Sequence, residues 1–204
     1  MGPPTLGRSH LIDWHSCKHC CVDTPNDRAR DDLARDIDRI CRLNGTFELR
    51  SGQVVSEYFD KYLFEAQPAL LHRVARAMVP LIPEDADLLG GLELGGVPIV
   101  TALSAITGRP ALFVRKEAKT YGTRRLAEGG DVNGKKVVLI EDVITTGGAV
   151  RAAAEALRAL GADVELVVCA IDRSPADVPP LGDVGINVRS VLTRDDLDAA
   201  RSRR

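Results

Sequence analysis

No apolar run in these 204 residues approaches the roughly 18 that a membrane-spanning helix needs. Also missing is a charge excess of either sign: 27 basic against 29 acidic side chains leave a net charge of -2. That balance gives no electrostatic reason to expect nucleic acid or an anionic membrane as partner, so any basic site must be local. Met1 to His10 hold no long apolar stretch behind a basic start, and no secretory signal is expected. Cysteine is sparse and unevenly placed. Of five, Cys17, Cys20 and Cys21 crowd together, while Cys41 falls in a predicted helix and Cys169 in a predicted strand. An odd count with two isolated, core-like members does not read as a disulfide framework, and a reducing cytoplasm is the expected compartment. Internal repeats are absent, and so is any linker that would split the chain.

Residues 1–23 stand apart, with Pro3, Pro4, three of the four histidines, the lone Trp14 and the cysteine cluster. Cys17 and Cys20 have the two-residue gap common in zinc sites, yet no second, distant ligand pair accompanies them. A flexible N-terminal extension is the expectation, followed by one domain over 24–204. Thr24-Pro25-Asn26-Asp27 starts a helix whose apolar positions Leu33, Ile37, Ile40 and Cys41 recur at helical spacing, with Gly45 as its end. Phe47 to Leu49 and Val54 to Asp60 read as a hairpin around Ser51-Gly52-Gln53, and Gln67 to Leu81 as an amphipathic helix. Strands then alternate with helices: Asp87 to Leu92, Ala111 to Val114, Lys136 to Ile140, Val164 to Ile171 and Ile186 to Leu192 are strands. Gly95 to Thr107 and Gly147 to Leu160 are helices, and a long polar stretch runs from Lys116 to Gly134. The alternation predicts an α/β fold with a mainly parallel sheet covered on both faces.

Val137-Val138-Leu139-Ile140-Glu141-Asp142-Val143-Ile144-Thr145-Thr146-Gly147-Gly148-Ala149 is the most informative segment. An apolar strand delivers two carboxylates where it emerges, then a polar turn with two glycines opens a helix. In open parallel sheets ligands sit beyond the carboxyl ends of the strands, where a helix N-terminus offers free N–H groups to a phosphate. Glycine lets the backbone approach it, and the threonine hydroxyls add donors. Two acids beside a phosphate cradle would repel it, and a sugar supplies the reason for them: Glu141 and Asp142 can accept hydrogen bonds from vicinal hydroxyls. A bland alternative is an acid pair that caps the next helix. No Gly-Lys-Thr/Ser follows, so the lysine-bearing phosphate loop of nucleotide hydrolases is excluded.

This segment resembles the phosphoribosyl-pyrophosphate signature of the type I phosphoribosyltransferases. The resemblance implies that family's fold, a central mainly parallel sheet flanked by helices with a small N-terminal hood, here about 24–65 over a core of about 66–195. It also implies attack by a base nitrogen at C1 of the ribose, with Mg2+ carried by the pyrophosphate and no direct protein ligand to the metal. The donor would contact Val143, Ile144, Thr145, Thr146, Gly147, Gly148 and Ala149 along with the acid pair.

Further segments are similar to the orotate phosphoribosyltransferases in particular. Phe113-Val114-Arg115-Lys116-Glu117-Ala118-Lys119-Thr120-Tyr121-Gly122 looks like their mobile catalytic loop, with Tyr121 where histidine is common. Arg115, Lys116 and Lys119 could neutralise a departing pyrophosphate, Lys119 at the leaving oxygen. Phe47-Glu48-Leu49-Arg50-Ser51-Gly52 with Glu57-Tyr58-Phe59-Asp60 is similar to the hood hairpin, although Gln53-Val54-Val55-Ser56 stands where a Ser-Pro is frequent. That resemblance gives Arg50 to the donor, and Tyr58 with Phe59 to the base. Leu94 and Gly95 fall in a counterpart of the pyrophosphate loop. Arg173, at the end of a strand, would pair with the carboxylate of orotate, whose ring would lie near Thr145. Orotidine 5'-monophosphate and pyrophosphate would be the products, and the enzyme a homodimer whose lid reaches the neighbouring site. Two other readings stay open: transfer to a purine or another pyrimidine, and a regulator that binds the sugar phosphate without catalysis.

Overall fold

The structure is a computed structural model that describes residues 25–49, 51–117, 126–175 and 181–202. The expectations placed on the Cys17–Cys21 cluster, Arg50, Lys119 and Tyr121 lie outside these residues. No helix among the described residues is long and apolar enough to cross a membrane.

The chain begins with α1 (Pro25–Cys41), whose Leu33, Ile37 and Cys41 are buried at the predicted spacing. It does not run on to Gly45. At Cys41 the chain turns directly into β1 (Arg42–Glu48), which pairs antiparallel with β2 (Val54–Phe59) from Arg42↔Phe59 onward. The Asp60 N–H donates to the Cys41 carbonyl at 2.8 Å, so strand pairing takes up the backbone groups that another helical turn would have used. Gly45 instead falls in the irregular stretch between Asn44 and Phe47, where the register shifts. After the hairpin come α2 (Tyr62–Glu65), a short helix that the sequence did not announce, and α3 (Pro68–Met78), which a 3-10 turn at Val79–Leu81 ends.

The core sheet follows: β3 (Leu88–Leu92), α4 (Gly96–Thr107), β4 (Ala111–Val114), β5 (Ala127–Glu128), β6 (Lys136–Ile144), α5 (Gly148–Ala159), β7 (Asp163–Asp172), β8 (Asn187–Thr193) and α6 (Arg194–Ser202). The six strands lie in the order β5-β4-β3-β6-β7-β8. All neighbours run parallel except β5, which is antiparallel to β4. Successive residues of the central strands feed two cores on opposite faces, as a period of two requires. Leu89, Val138, Ile140 and Val168 join α1, α3 and α4 on one side, while Leu88, Val137, Leu139 and Val167 join α5 on the other. This is why the strand segments read as continuous apolar runs.

The predicted boundary of β6 at Ile140 is four residues short. Pairing with β7 continues through Glu141↔Cys169, Val143↔Ile171 and Ile144↔Asp172, so the two acids lie within the strand and not beyond it. Helix α6 was not foreseen, because its nine residues bury only Leu197 and Ala200 and carry no apolar period long enough to read. Cys41 and Cys169 are both buried free thiols, as expected of core members.

Leu139, fully buried at the centre of the sheet, tests the packing. Leu139→Ala should destabilise the fold by roughly 2–5 kcal/mol, through lost transfer energy and the cavity left behind, read as a lowered urea midpoint.

Candidate active site

Strand β3 has β4 on one side and β6 on the other, so the sheet order reverses between β3 and β6. Open α/β sheets bind ligands at such a point, outside the carboxyl ends of the strands. Four chain segments emerge there. The loop after β3 carries Glu93, Leu94 and Gly95, and the one after β4 carries Arg115 and Lys116. The loop after β6 carries Thr145 to Gly147, and β7 delivers Arg173. A cavity of about 690 Å3 opens among the first three, lined by residues of the 143–149 segment and by Glu93, Arg115, Lys116, Glu141 and Lys61; Leu94, Gly95, Asp142 and Arg173 do not line it.

The 145–149 loop has the form that the sequence predicted. Thr145, Thr146, Gly148 and Ala149 are exposed, and Gly147 takes a left-handed φ of 72° just before the first residue of α5. Helix α5 spans 12 residues, so its first-turn N–H groups and the positive end of its dipole face the cavity.

The acid pair is buried. Asp142 is fully enclosed and Glu141 nearly so, and a third carboxylate, Glu65 of α2, joins them. Asp142 Oδ1 accepts the Val143 N–H at 2.5 Å, and its Oδ2 meets the ammonium of Lys61 at 2.6 Å. Gly95 closes the remaining approach: a Cβ there would come within 1.7 Å of Asp142 Oδ2 and 2.8 Å of Glu65 Oε1. As carboxylates, Glu65 Oε1 and Glu141 Oε2 meet no donor. Burial, followed by hydrogen bonding to Asp142 and repulsion from it, pushes the Glu65 carboxyl up to about 9. Burial and the same neighbour raise Glu141 well above the ordinary carboxylate range. Burial works against ionisation of Asp142 as well, but hydrogen bonds from Glu141, Glu65 and Lys61 and the ammonium charge hold it below its ordinary value. Lys61 and the neighbouring carboxyls thus favour the charged form of Asp142, while burial and the Asp142 charge favour the neutral forms of Glu65 and Glu141. Lys61 offsets part of the charge by which the pair would repel a phosphate.

On the neighbouring strand, the Arg173 N–H donates to the Ile144 carbonyl at 2.8 Å, and its guanidinium lies 4.9 Å from the centre of the Phe59 ring. Among the described residues no carboxylate pairs with it. Burial, then the charges of Arg194 and Arg42, lower its proton affinity against the weaker pull of Asp198 and Glu57, so a guest anion would be welcome there. The hairpin separates the two aromatics the sequence set together. Phe59 packs against Arg173, whereas Tyr58, its neighbour on the opposite face of β2, stacks with Phe47 at 5.5 Å and is 42% exposed. At the base of the polar stretch, Glu93 accepts the Lys116 N–H at 2.9 Å, and the Arg115 N–H donates to Leu126 at 2.9 Å. The Lys116 end of the stretch is thus tied to the loop after β3. Leu94 is 61% exposed.

Lys61, Glu65 and Glu93 are site residues that motif reading missed. Lys61 follows directly on the aromatic segment, and Glu65 is four residues further on, so their proximity to Asp142 depends on where the hairpin and α2 dock.

A model of the phosphoribosyl transferase domain matches residues 64–186. Among curated proteins, an orotate phosphoribosyltransferase of a Nocardioides species is 70% identical over 169 residues, covering 83% of this chain and 94% of that one. Its counterpart in Corynebacterium glutamicum is 37% identical over 180 residues, covering 84% and 95%. A Mycobacterium tuberculosis orotate phosphoribosyltransferase, solved with Fe(III) dicitrate, superposes with a TM-score of 0.73 at 34% identity, covering 83% of this chain and 98% of that one. The same protein solved with 5-phospho-alpha-D-ribosyl 1-diphosphate gives 0.70 at 30% identity, with 83% and 99% covered. With a phosphate loop at the switch point of a mainly parallel sheet, and relatives of this identity along most of its length, the chain belongs to the orotate phosphoribosyltransferase family of type I phosphoribosyltransferases.

Proposed function

We propose that this protein transfers the phosphoribosyl group of phosphoribosyl pyrophosphate to orotate, giving orotidine 5'-monophosphate and pyrophosphate in pyrimidine biosynthesis. Beside family membership, the observation that carries the acceptor is Arg173: a half-buried guanidinium on an aromatic face, without a carboxylate of its own among the described residues, beside the end of the phosphate-loop strand. A planar fork of this kind suits a carboxylate on a flat ring. A purine or uracil would leave it without a partner.

In this reading the first-turn N–H groups of α5 and the hydroxyls of Thr145 and Thr146 hold the 5-phosphate, with Val143, Ile144, Gly147, Gly148 and Ala149 shaping the cradle. Glu141 and Asp142 orient the ribose: Glu141 lines the cavity, whereas Asp142 stands behind it, its oxygens held by the Val143 N–H and Lys61, and reaches a hydroxyl only by releasing one of them. Phe59 lies against the acceptor ring, with Tyr58 at the hairpin surface. Arg115 and Lys116 face the pyrophosphate side, together with the backbone of Leu94 and Gly95. Arg50, Lys119 and Tyr121 enter on family resemblance, Arg50 and Tyr121 at the donor and Lys119 at the leaving oxygen. As the C1–O bond breaks, charge grows on the pyrophosphate while the ribose becomes oxocarbenium-like, and fixed cations on that side lower the barrier. Magnesium belongs to the proposal as the donor's own counter-ion, since hard cations of this size bind phosphate oxygens with few protein ligands. When bound, it neutralises part of the leaving group's charge. The chemistry of the cavity fits that arrangement: Asp142 already has Lys61 as its cation, and Arg115 and Lys116 are left to share the pyrophosphate. A homodimer whose lid reaches the neighbouring site, and a cytoplasmic setting, complete the reading.

Phosphoribosyl pyrophosphate and magnesium, offered with orotate, uracil, adenine and hypoxanthine in parallel, should be consumed with orotate alone. Turnover of hypoxanthine or adenine instead would overturn the acceptor, and binding of the donor without any turnover would favour the regulator. Chelation of magnesium should abolish the orotate reaction reversibly. Lys119→Ala should lower kcat by roughly 10²–10⁴-fold, the usual range for a proton donor or charge stabiliser at the leaving atom, with KM for either substrate little changed in steady-state assays.

A further inference from the structure

Lys61 belongs to no motif of the sugar site, yet its ammonium touches Asp142 of the acid pair. It follows β2 and Asp60, lines the cavity, and keeps a third of its side chain exposed while its Nζ lies 2.6 Å from Asp142 Oδ2. We propose that Lys61 is a positioning residue for the phosphoribosyl donor: its ammonium fixes the charge and the orientation of Asp142 and couples that acid to the hairpin over the acceptor. The inference rests on the donor reading given above and adds to it a residue from outside the signature loop.

The geometry leaves Asp142 with few other options. Its Oδ1 is taken by the Val143 N–H, and Gly95 stands hard against Oδ2. The titratable and charged groups around it are Glu141 on its own strand, Glu65 on α2, Asp60 and Lys61 after β2, and Cys169 on β7. Lys61 alone among them is a cation. A buried carboxylate stripped of its only cation must either remain charged at a high desolvation cost or take up a proton. Protonated, Asp142 loses the charge and the fixed orientation that Lys61 gives it, and the acid pair no longer holds the ribose side of the donor as one unit. The sign is therefore fixed. Removing Lys61 raises the proton affinity of Asp142, so donor binding is lost on the acidic side first and recovers as pH rises. Lysine is suited to the role because a compact ammonium on a flexible stem can stay on Asp142 while the hairpin shifts.

Calorimetric titration of the folded enzyme with phosphoribosyl pyrophosphate and magnesium, in two buffers of different ionisation enthalpy, reads this without turnover. Lys61→Ala should weaken donor binding by about tenfold or more at pH 7, as expected for breaking a buried charge pair, and should release a proton on binding that the wild type does not. In kinetics, the acidic limb of kcat/KM for the donor should move to higher pH, while KM for orotate stays within about threefold. Lys61→Arg should restore both the affinity and the limb. Lys61→Gln, which keeps a hydrogen-bond donor on Asp142 without the charge, should release the proton as the alanine variant does and takes its place if alanine unfolds the site. Wild-type affinity and proton count in either neutral variant would overturn the inference. Failure of the wild type to bind the donor would instead overturn the functional reading beneath it.

Discussion

Strand β6 must be apolar enough to sit in the middle of a parallel sheet and must also present acids at its end. Its residues Val137 to Ile140 are sealed on both faces, and its backbone is shared between β3 and β7. The pairing with β7 does not stop where the apolar run stops, so Glu141 and Asp142 are drawn inside the sheet's edge before the chain breaks away. Burying two adjacent carboxylates as charges would cost several kcal/mol each. The fold lessens this cost by bringing Lys61 to Asp142 and by setting Glu141 and Glu65 where burial and the Asp142 charge raise their proton affinity. Gly95 follows from the same constraint: the space in which any Cβ would stand is occupied by the Asp142 carboxylate.

The consequence for chemistry is a division of charge across the cavity. A chain with a net charge of -2 has no general attraction for a polyanion, so what draws one must be local. On one side the acid cluster has Lys61 set against its charge and offers carboxyl oxygens, which suits hydroxyls. On the other, Arg115 and Lys116 line the wall, and the first turn of α5 adds N–H groups and a positive dipole end. A sugar carrying phosphates at two positions fits that asymmetry. A nucleotide base alone does not.

Much of this was legible in the sequence, for reasons that can be named. Strands β3, β4, β6, β7 and β8 are apolar in unbroken runs because helices cover both faces, and each was placed within a few residues. The loop 145–149 was legible because its glycines and threonines have no other purpose at that spacing. What the sequence hid was everything decided by docking. Helix α1 ends at Cys41 because β2 offers partners to Arg42 and its successors, and nothing local says so. Tyr58 and Phe59 look like a pair in one dimension, but a strand's alternation sends them to opposite faces. Lys61 and Glu65 lie in a short stretch with no apolar period and no motif, and only the tertiary fold sets them at Asp142. Helix α6 buries too little to register.

The hairpin's exit also brings the Arg173 and Asp142 parts of the site together without a shared loop. Phe59 ends β2 and reaches Arg173, at the end of β7; Lys61, two residues later, reaches Asp142 near the end of β6. Two residues of extended chain span roughly 7 Å, and adjacent strands of a sheet are about 4.8 Å apart, so one short segment can touch the ends of neighbouring strands. The β6–β7 pairing that buries Asp142 also sets Arg173 beside Ile144, two residues further along β6, through the hydrogen bond from its N–H. A displacement of the hairpin that moved Phe59 off Arg173 would therefore pull on Lys61 and its carboxylate as well. The two halves of the site are linked by covalent chain on one side and by the sheet on the other, and neither half can be rearranged alone.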